Sequence, residues 1–252
     1  MTHHKDFAGR TALVTGAGSG IGAACAKALA DRGAAKLILI DVDEAGLSAL
    51  RLECEVERVI GSVADETLWN DLEPRLAGLD HAIANAGVGS SGKITALTMA
   101  EWRRVMDVNL DGVFLTLRAA MRAMKDGGGS AVVTSSSTGI KPIAGIGPYG
   151  VAKAAVSHMT RIAALEGAPN GIRVNAIAPG GVDTAIWESS DDFQQSVKAQ
   201  GRDATIKGMA ATTPTGRFAT SEEIAGNILY MLSDAGSNLT GHIMVSDGGF
   251  TL

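Results

Sequence analysis

The chain has only two tyrosines among its 252 residues, so each can be weighed by its surroundings. Tyr149 is followed by Lys153. On a helix, residues i and i+4 share one face with Cβ atoms about 5–6 Å apart. A lysine ammonium beside a phenol favours the phenolate and lowers its pKa from an ordinary value near ~10. Bringing the phenol to neutrality takes about 4 kcal/mol at ~1.36 kcal/mol per unit, and a bound pyridinium would push the same way. Such a group is a competent general base for an alcohol proton. The same spacing also occurs as a plain surface contact, so the pair alone leaves both readings open. Tyr230, on the apolar run 224–232, reads as core or interface packing.

A second constellation is built of glycine. Gly16, Gly20 and Gly22 follow a short apolar run and precede an alanine-rich one, in the spacing G-x-x-x-G-x-G. The commoner G-x-G-x-x-G fails from Gly16, because position 21 is isoleucine. The physical logic is the same: glycines permit a sharp strand-to-helix turn and let backbone N–H groups approach a pyrophosphate at a helix N-terminus. Asp41 stands nineteen residues beyond Gly22, at the end of the next apolar run. A carboxylate there suits the ribose hydroxyls of an adenosine and repels a 2′-phosphate, which points to NAD rather than NADP. A turn-forming role for Asp41 is the competing reading, although Asp43 can serve that purpose.

The elements that must position these groups follow from periodicity. Apolar runs at 11–15, 36–41, 56–63, 80–84, 131–135, 173–178 and 242–246 read as about seven strands. Helical stretches alternate with them at 21–32, 44–53, 66–76, 99–124 (split near Asn109), 148–166 and 221–233, the last opened by a Thr220-Ser221-Glu222-Glu223 capping signal. Strict alternation with continuously apolar strands predicts an α/β fold, a doubly wound parallel sheet with helices on both faces. The segment 183–213 has weak periodicity and polar clusters. It reads as a substrate-binding loop inserted into one domain spanning 1–252.

Composition narrows the function classes. Hydrophobic residues make up 46% and charged residues 19%, which excludes a disordered chain. Net charge is −5 and no basic stretch interleaves with aromatics, so no nucleic-acid partner is expected. No apolar run is long enough to span a membrane, and the first residues lack the apolar stretch of a secretory signal, so the expectation is a soluble cytoplasmic protein. Cys25 reads as a small core residue, Cys54 has no partner spacing, and histidines 3, 4, 81, 158 and 242 are scattered; no metal site is expected. His158 reads as core or interface filler. The 32 glycines fit a fold with many tight turns and close backbone approaches.

Further motifs complete a pattern. Asn85-Ala86-Gly87, Asn109 within Asp107-Val108-Asn109-Leu110, the run Ser135-Ser136-Ser137, Tyr149-x-x-x-Lys153, Pro179-Gly180 after Arg173–Ala178, and a closing Thr240–Gly249 follow the glycine turn in order. Over residues 6–252 the chain resembles the short-chain dehydrogenase/reductase family, which implies a Rossmann-like fold. The resemblance makes Tyr149 the catalytic acid/base and Lys153 its pKa partner and holder of the nicotinamide ribose. It gives Asn109 the bending of its helix and the anchoring of a water relay. It places the catalytic serine at Ser136, thirteen residues before Tyr149, with Ser137 the weaker candidate. Cofactor contacts fall on Gly16, Ser19, Gly20, Ile21, Gly22, Asp41, Val63, Asn85, Ala86, Gly87, Tyr149, Lys153, Pro179, Gly180, Val182 and Thr184, with NAD the cofactor and a homotetramer the assembly. Two positions depart from the family. Ser62-Val63 replaces Asp-Val, which removes an expected adenine contact, and Ala84 precedes Asn85 where the family has a second asparagine.

The activity implied is NAD-dependent interconversion of a secondary alcohol and its ketone. The alternatives are an NADPH-dependent 3-oxoacyl-type ketoreductase and a non-catalytic dinucleotide-binding regulator. Ile186, Trp187, Phe193, Val197, Ile206 and Met209 make the 183–213 segment apolar enough for a hydrophobic substrate, and its charges are mixed in sign. Gly139 and Gly181 are expected to leave room for a cyclic ring. The substrate contacts expected are Ser136, Tyr149, Gly181 and Trp187.

Overall fold

The computed structural model describes residues 5–189 and 191–252; His3, His4 and Ser190 lie outside them. Seven strands form where apolar residues run together: β1 (Thr11–Thr15), β2 (Lys36–Asp41), β3 (Glu55–Ile60), β4 (His81–Ala84), β5 (Gly129–Thr134), β6 (Ile172–Pro179) and β7 (Ile243–Ser246). They pair in the order β3-β2-β1-β4-β5-β6-β7, every pair parallel. Parallel pairing requires each connection to cross the sheet, and the crossovers are helical.

Alternate residues of one strand feed opposite layers, because successive side chains point to opposite faces. Ala12, Val14, Leu37, Leu39, Ile83 and Ile177 join one core, under α1 (Gly20–Asp31) and α9 (Ser221–Leu232). Leu13, Ile38, Ile40, Ala82, Val133 and Val174 join the other, under α3 (Glu66–Leu72), α5 (Gly112–Met124) and α6 (Gly147–Gly167). Central strands buried on both faces are largely apolar along their length, and that makes them legible. The edge strand β3 alternates charge with valine, and Lys36 pairs with both Glu55 and Glu57 along it.

Boundaries differ from the sequence expectation where a local cause intervenes. The helix expected at 44–53 stops as α2 (Glu44–Ala49), with the Arg58 guanidinium donating to the carbonyls of Leu47 and Leu50 at its end. The strand expected at 56–63 ends at Ile60, and Val63 turns into the core with its carbonyl accepting the Trp69 indole N–H at 2.8 Å. The helix expected at 66–76 gives way after Leu72 to a 3₁₀ turn, Glu73–Leu76, containing Pro74, which has no N–H to continue an α-helix. The split near Asn109 takes the form of a π segment, Asp107–Asp111, between α4 (Met99–Met106) and α5. The capping box at Thr220 and Glu223 is present.

The segment 183–213, expected to be irregular, holds a 3₁₀ turn (Ala185–Ser189), α7 (Asp191–Gln200) and α8 (Arg202–Ala210). These helices are short and bury few residues, Phe193, Thr205 and Ala210 among them, so they leave little periodic trace. Tyr230 and His158 are exposed rather than buried in the core.

Candidate active site at the carboxyl edge of the sheet

Strand order reverses between β1 and β4, the point at which an open parallel sheet leaves a crevice beyond its carboxyl ends. The glycine turn lies there. Gly16 and Gly20 have φ of +65° and +53°, in the left-handed region that L side chains rarely adopt. A Cβ on Gly22 would collide with the carbonyl oxygen of Gly16, so the helix can start this close to β1 only with glycine at that position. A Cβ on Gly16 would meet Ala86 Cα at 2.8 Å. Ser19 stands at the N-cap of α1 in an extended conformation, makes no side-chain cap and is followed by no acidic residue in the first turn. The helix therefore presents its first N–H groups and the positive end of its dipole to the crevice. Thr184 comes over this turn, its Cγ2 3.1 Å from where a Gly20 Cβ would stand.

Asp41 closes β2 beside the same turn. Its Oδ2 accepts the Gly18 N–H at 2.8 Å and its Oδ1 the Asp43 N–H at 2.9 Å, so it holds the turn. Asp43 caps α2 by accepting from Gly46 N–H. Both aspartates thus hold backbone turns, Asp41 at the glycine turn and Asp43 at the start of α2. The Ser62 hydroxyl accepts the Ala64 N–H at 3.2 Å and shapes the turn after β3.

Asn85 ties three strand ends together. Its amide donates to the carbonyls of Thr15 and Gly16, and its Oδ1 accepts from Thr134 Oγ1 at 3.1 Å. Thr15 Oγ1 accepts the N–H groups of Asn85 and Ala86 and donates to Ile83 O. Thr134 thus helps to position the site without having stood out in the sequence. A buried hydroxyl at a strand end gives no spacing to recognise. Gly87 leaves room for Asn109, whose Oδ1 would lie 2.7 Å from an added Cβ. Fully buried, Asn109 accepts the Val88 N–H and donates to the Val88 carbonyl, at 3.0 and 2.8 Å.

Tyr149 and Lys153 sit on the first turns of α6, against the end of β5. Lys153 is buried and donates to Thr134 O at 2.7 Å, with its ammonium 5.5 Å from the Tyr149 ring centroid. Burial pulls its pKa down to about 8. Tyr149 behaves differently from the sequence expectation. Burial raises its pKa, and the opposing influence is a hydrogen bond from Ser136 rather than the lysine. The apolar surroundings that weaken the lysine's charge also penalise the phenolate, so the pair by itself does not activate the phenol.

Among the three serines the structure distinguishes clearly. Ser136 reaches the Tyr149 phenol, and its Oγ also accepts from Thr138 N–H and Oγ1. Ser135 turns the other way, to the Lys153 carbonyl and Ser157. Ser137 opens the following 3₁₀ turn.

At the exit of β6, Gly180 packs on Asp247, where an added Cβ would lie 2.8 Å from its Cα. Pro179 ends the strand, and Val182 bridges to Ala219. The space beside Gly181 does not await a substrate: the Phe218 ring fills it, and an added Cβ would collide with that ring. Gly139 likewise serves close approach, to the Lys153 and Ala154 backbone of α6, at 2.7–2.8 Å from an added Cβ. Trp187 stacks on Phe218 with ring centroids 5.6 Å apart and donates its indole N–H to Val182 O. It lines a cavity of about 400 Å³ with Phe193, Gln200 and Met209. Among the described residues no group of His, Cys, Asp or Glu is placed to hold a metal, and no helix is long and apolar enough to cross a membrane.

Comparison with known proteins agrees with this geometry. Residues 16–251 match a family model described as enoyl-(acyl carrier protein) reductase. The chain is 40% identical to a cis-4-hydroxycyclohexanecarboxylate dehydrogenase of Sinomonas cyclohexanicum, across 97% of this chain and 98% of that protein. It is 35% identical to a 3beta-hydroxysteroid dehydrogenase of Mediterraneibacter gnavus, across 95% of this chain and 94% of that protein. A crystal structure of levodione reductase superposes with a TM-score of 0.88 at 34% identity, covering 97% of this chain and 98% of that one.

Proposed function

Because the chain belongs to the short-chain dehydrogenase/reductase family, as an oxidoreductase that interconverts alcohols and ketones with a nicotinamide dinucleotide, we propose that it uses NAD to oxidise a secondary hydroxyl on a ring. The observation that carries the chemistry is the convergence of Ser136, Tyr149 and Lys153 at the end of β5. A hydroxycyclohexanecarboxylate and a hydroxysteroid are the substrates named for two of the similar dehydrogenases. The apolar wall of Trp187, Phe193 and Met209 suits such a ring.

The residues present fit the cofactor. The glycine cradle has no room for a Cβ at Gly16 or Gly22, and the first turn of α1 carries no side chain that would compete with a phosphate. Asp41 supplies the carboxylate for the ribose hydroxyls and repels a 2′-phosphate, which selects NAD. Gly20, Ile21 and Thr184 lie on the phosphate side, with Ser19 at the turn; Asn85, Ala86, Gly87, Pro179, Gly180 and Val182 border the nicotinamide side. Bound there, the nicotinamide supplies the hydride acceptor.

This chain's own groups handle the proton. Tyr149 takes it from the substrate hydroxyl, and the Ser136 Oγ positions that oxygen. Lys153, fixed by Thr134 O with its ammonium 5.5 Å from the phenol ring, brings a positive charge to the pair. Its pKa of about 8 makes that charge incomplete in mild alkali. Asn109 holds the strand-end loop at Val88 against α6. A homotetramer is the assembly that fits. Phe114 on α5 and Val151, Ile162 and Leu165 on α6 expose between 45% and 79% of their surface, an apolar area that a second copy would cover.

The test is an assay of NAD against NADP reduction across cyclic, aromatic and steroidal secondary alcohols, repeated with Tyr149→Phe. Turnover of cyclic alcohols with NAD is expected, and a loss of at least about 100-fold in the variant. Unchanged turnover in Tyr149→Phe, or preference for NADP, would overturn the assignment.

A further inference from the structure

The last residues of the chain are not a free tail. After β7, Asp247 organises a tight turn: its carboxylate accepts the N–H groups of Gly249 and Thr251, each at 2.9 Å, and the Thr251 hydroxyl at 2.7 Å. Gly248 and Gly249, with φ of +62° and +87°, bend the backbone where no side chain fits. An added Cβ on Gly248 would strike Thr215 Oγ1, and one on Gly249 would lie 2.9 Å from Pro214. Thr215 N–H donates to Gly248 O at 3.1 Å. The turn is therefore seated on the segment that leads out of α8.

Its other side reaches the serine loop. Lys141 donates from Nζ to Phe250 O at 2.7 Å, and its ammonium lies 4.8 Å from the centroid of the Phe250 ring. The Lys141 N–H in turn donates to Ser137 O at 2.8 Å, one residue past the serine that bonds the Tyr149 phenol. Lys141 is exposed yet turned back onto the chain, giving up hydration for one carbonyl and one aromatic face. The path from Thr215 through Gly248, Phe250 and Lys141 to Ser137 is made of direct contacts throughout.

We propose that the clamp of Lys141 on Phe250 makes the C-terminal turn a positioning strap, which fixes the serine loop relative to the α7–α8 segment and so sets the mouth through which substrate reaches Tyr149. Lys141 and Phe250 are positioning residues in this scheme, and they touch neither the reacting atoms nor the cofactor cradle. The inference rests on the reading of Ser136 and Tyr149 as the reacting pair.

The experiment compares Lys141→Met, Phe250→Ala, the double variant and Lys141→Arg in the full chain. One hydrogen bond and one exposed cation–π contact are worth about a five- to tenfold change in an equilibrium. KM for the alcohol is expected to rise by about that factor in Lys141→Met, and by about two- to fivefold in Phe250→Ala, which loses the ring but keeps the carbonyl that Lys141 bonds. kcat, the Kd of NAD by direct titration and Tm should stay near the starting protein. The double variant should be no worse than Lys141→Met, and arginine should restore KM. Amide hydrogen exchange gives a second readout that needs no turnover: in Lys141→Met, residues 137–146 and 211–217 should exchange faster together. Unchanged KM, additive single effects, a parallel fall in Tm and every kinetic constant, or faster exchange confined to 247–252 each sink the strap. Absence of alcohol oxidation in the unmodified protein refutes the assigned function instead, and the exchange experiment then decides the strap alone.

Discussion

Tyr149 carries the proposed chemistry, yet nothing in the bare protein makes it acidic. Burial raises its pKa, the Ser136 hydroxyl works against that rise, and Lys153 spends its hydrogen bond on Thr134 O. Burial also brings Lys153 down to about 8, so its charge is complete only below that pH. Two consequences follow for Ser136. Removing its hydroxyl takes away the one hydrogen bond that favours the phenolate, which moves the base limb of the profile to higher pH. In the proposed reaction the same hydroxyl turns its single proton to the substrate oxygen, and removing a donor of that kind costs about 100- to 1,000-fold. Ser136→Ala should therefore lower kcat for alcohol oxidation by about that factor and shift the ascending limb of its pH profile upward. Ser135→Ala should leave the limb in place, because Ser135 faces the Lys153 carbonyl and Ser157. A profile that drops in height with no shift would mean that Ser136 only orients the substrate.

Elements place these groups through close approaches that only glycine allows, and Gly181 shows how such a position misleads a reader of sequence. From the sequence it looked like room for a substrate ring; in the fold Phe218 occupies that room, and Trp187 stacks on Phe218 in turn. Gly181→Ala must displace the Phe218 ring, an overpacking cost of about 1–3 kcal/mol. A lower Tm and altered Trp187 fluorescence, compared with a Trp187→Phe background, are expected. An unchanged Tm and spectrum would show that the ring has somewhere else to go. The alternating strands and helices were legible because β1, β2, β4, β5 and β6 are buried on both faces and largely apolar. The glycine turn, Asp41, Asn109, Tyr149 and Lys153 were legible because their spacing repeats a pattern, and the structure brings them to one edge. What fills the space beside a glycine is decided by residues far away in sequence, so Gly139 and Gly181 were misread. Short helices with few buried residues, such as α7 and α8, leave no periodic signal. The hydroxyl of Thr134 acts through the Asn85 side chain at the end of another strand, which no spacing encodes.

At the scale of the whole molecule, the burial of His81 links folding to pH on the acid side. His81 opens β4, pairs in register with Ser130 of β5, and presents its ring edge to Phe7 with centroids 5.2 Å apart. Ser130 Oγ donates to Leu232 O at 2.8 Å, so in the 3.0 Å contact with His81 it accepts, and Nδ1 bears the proton. Burial lowers the His81 pKa from 6.5 to about 4, Arg10 and Arg173 add to the drop, and Asp80 and Asp234 oppose it. The native imidazole therefore stays neutral where the unfolded one takes up a proton. Stability from this group is present above pH 6.5 and falls as pH drops toward about 4, because the unfolded chain binds the extra proton throughout that window. Between pH 6.5 and 5 the loss comes to about 2 kcal/mol at ~1.36 kcal/mol per unit, with most carboxylates still ionised. The urea midpoint of the unmodified protein should fall measurably across that range. His81→Leu keeps an apolar partner for Phe7, leaves Ser130 its bond to Leu232 O and has no proton to take up, so its midpoint should fall less by an amount equivalent to about 2 kcal/mol. Equal slopes for the two proteins would place the acid sensitivity elsewhere in the fold.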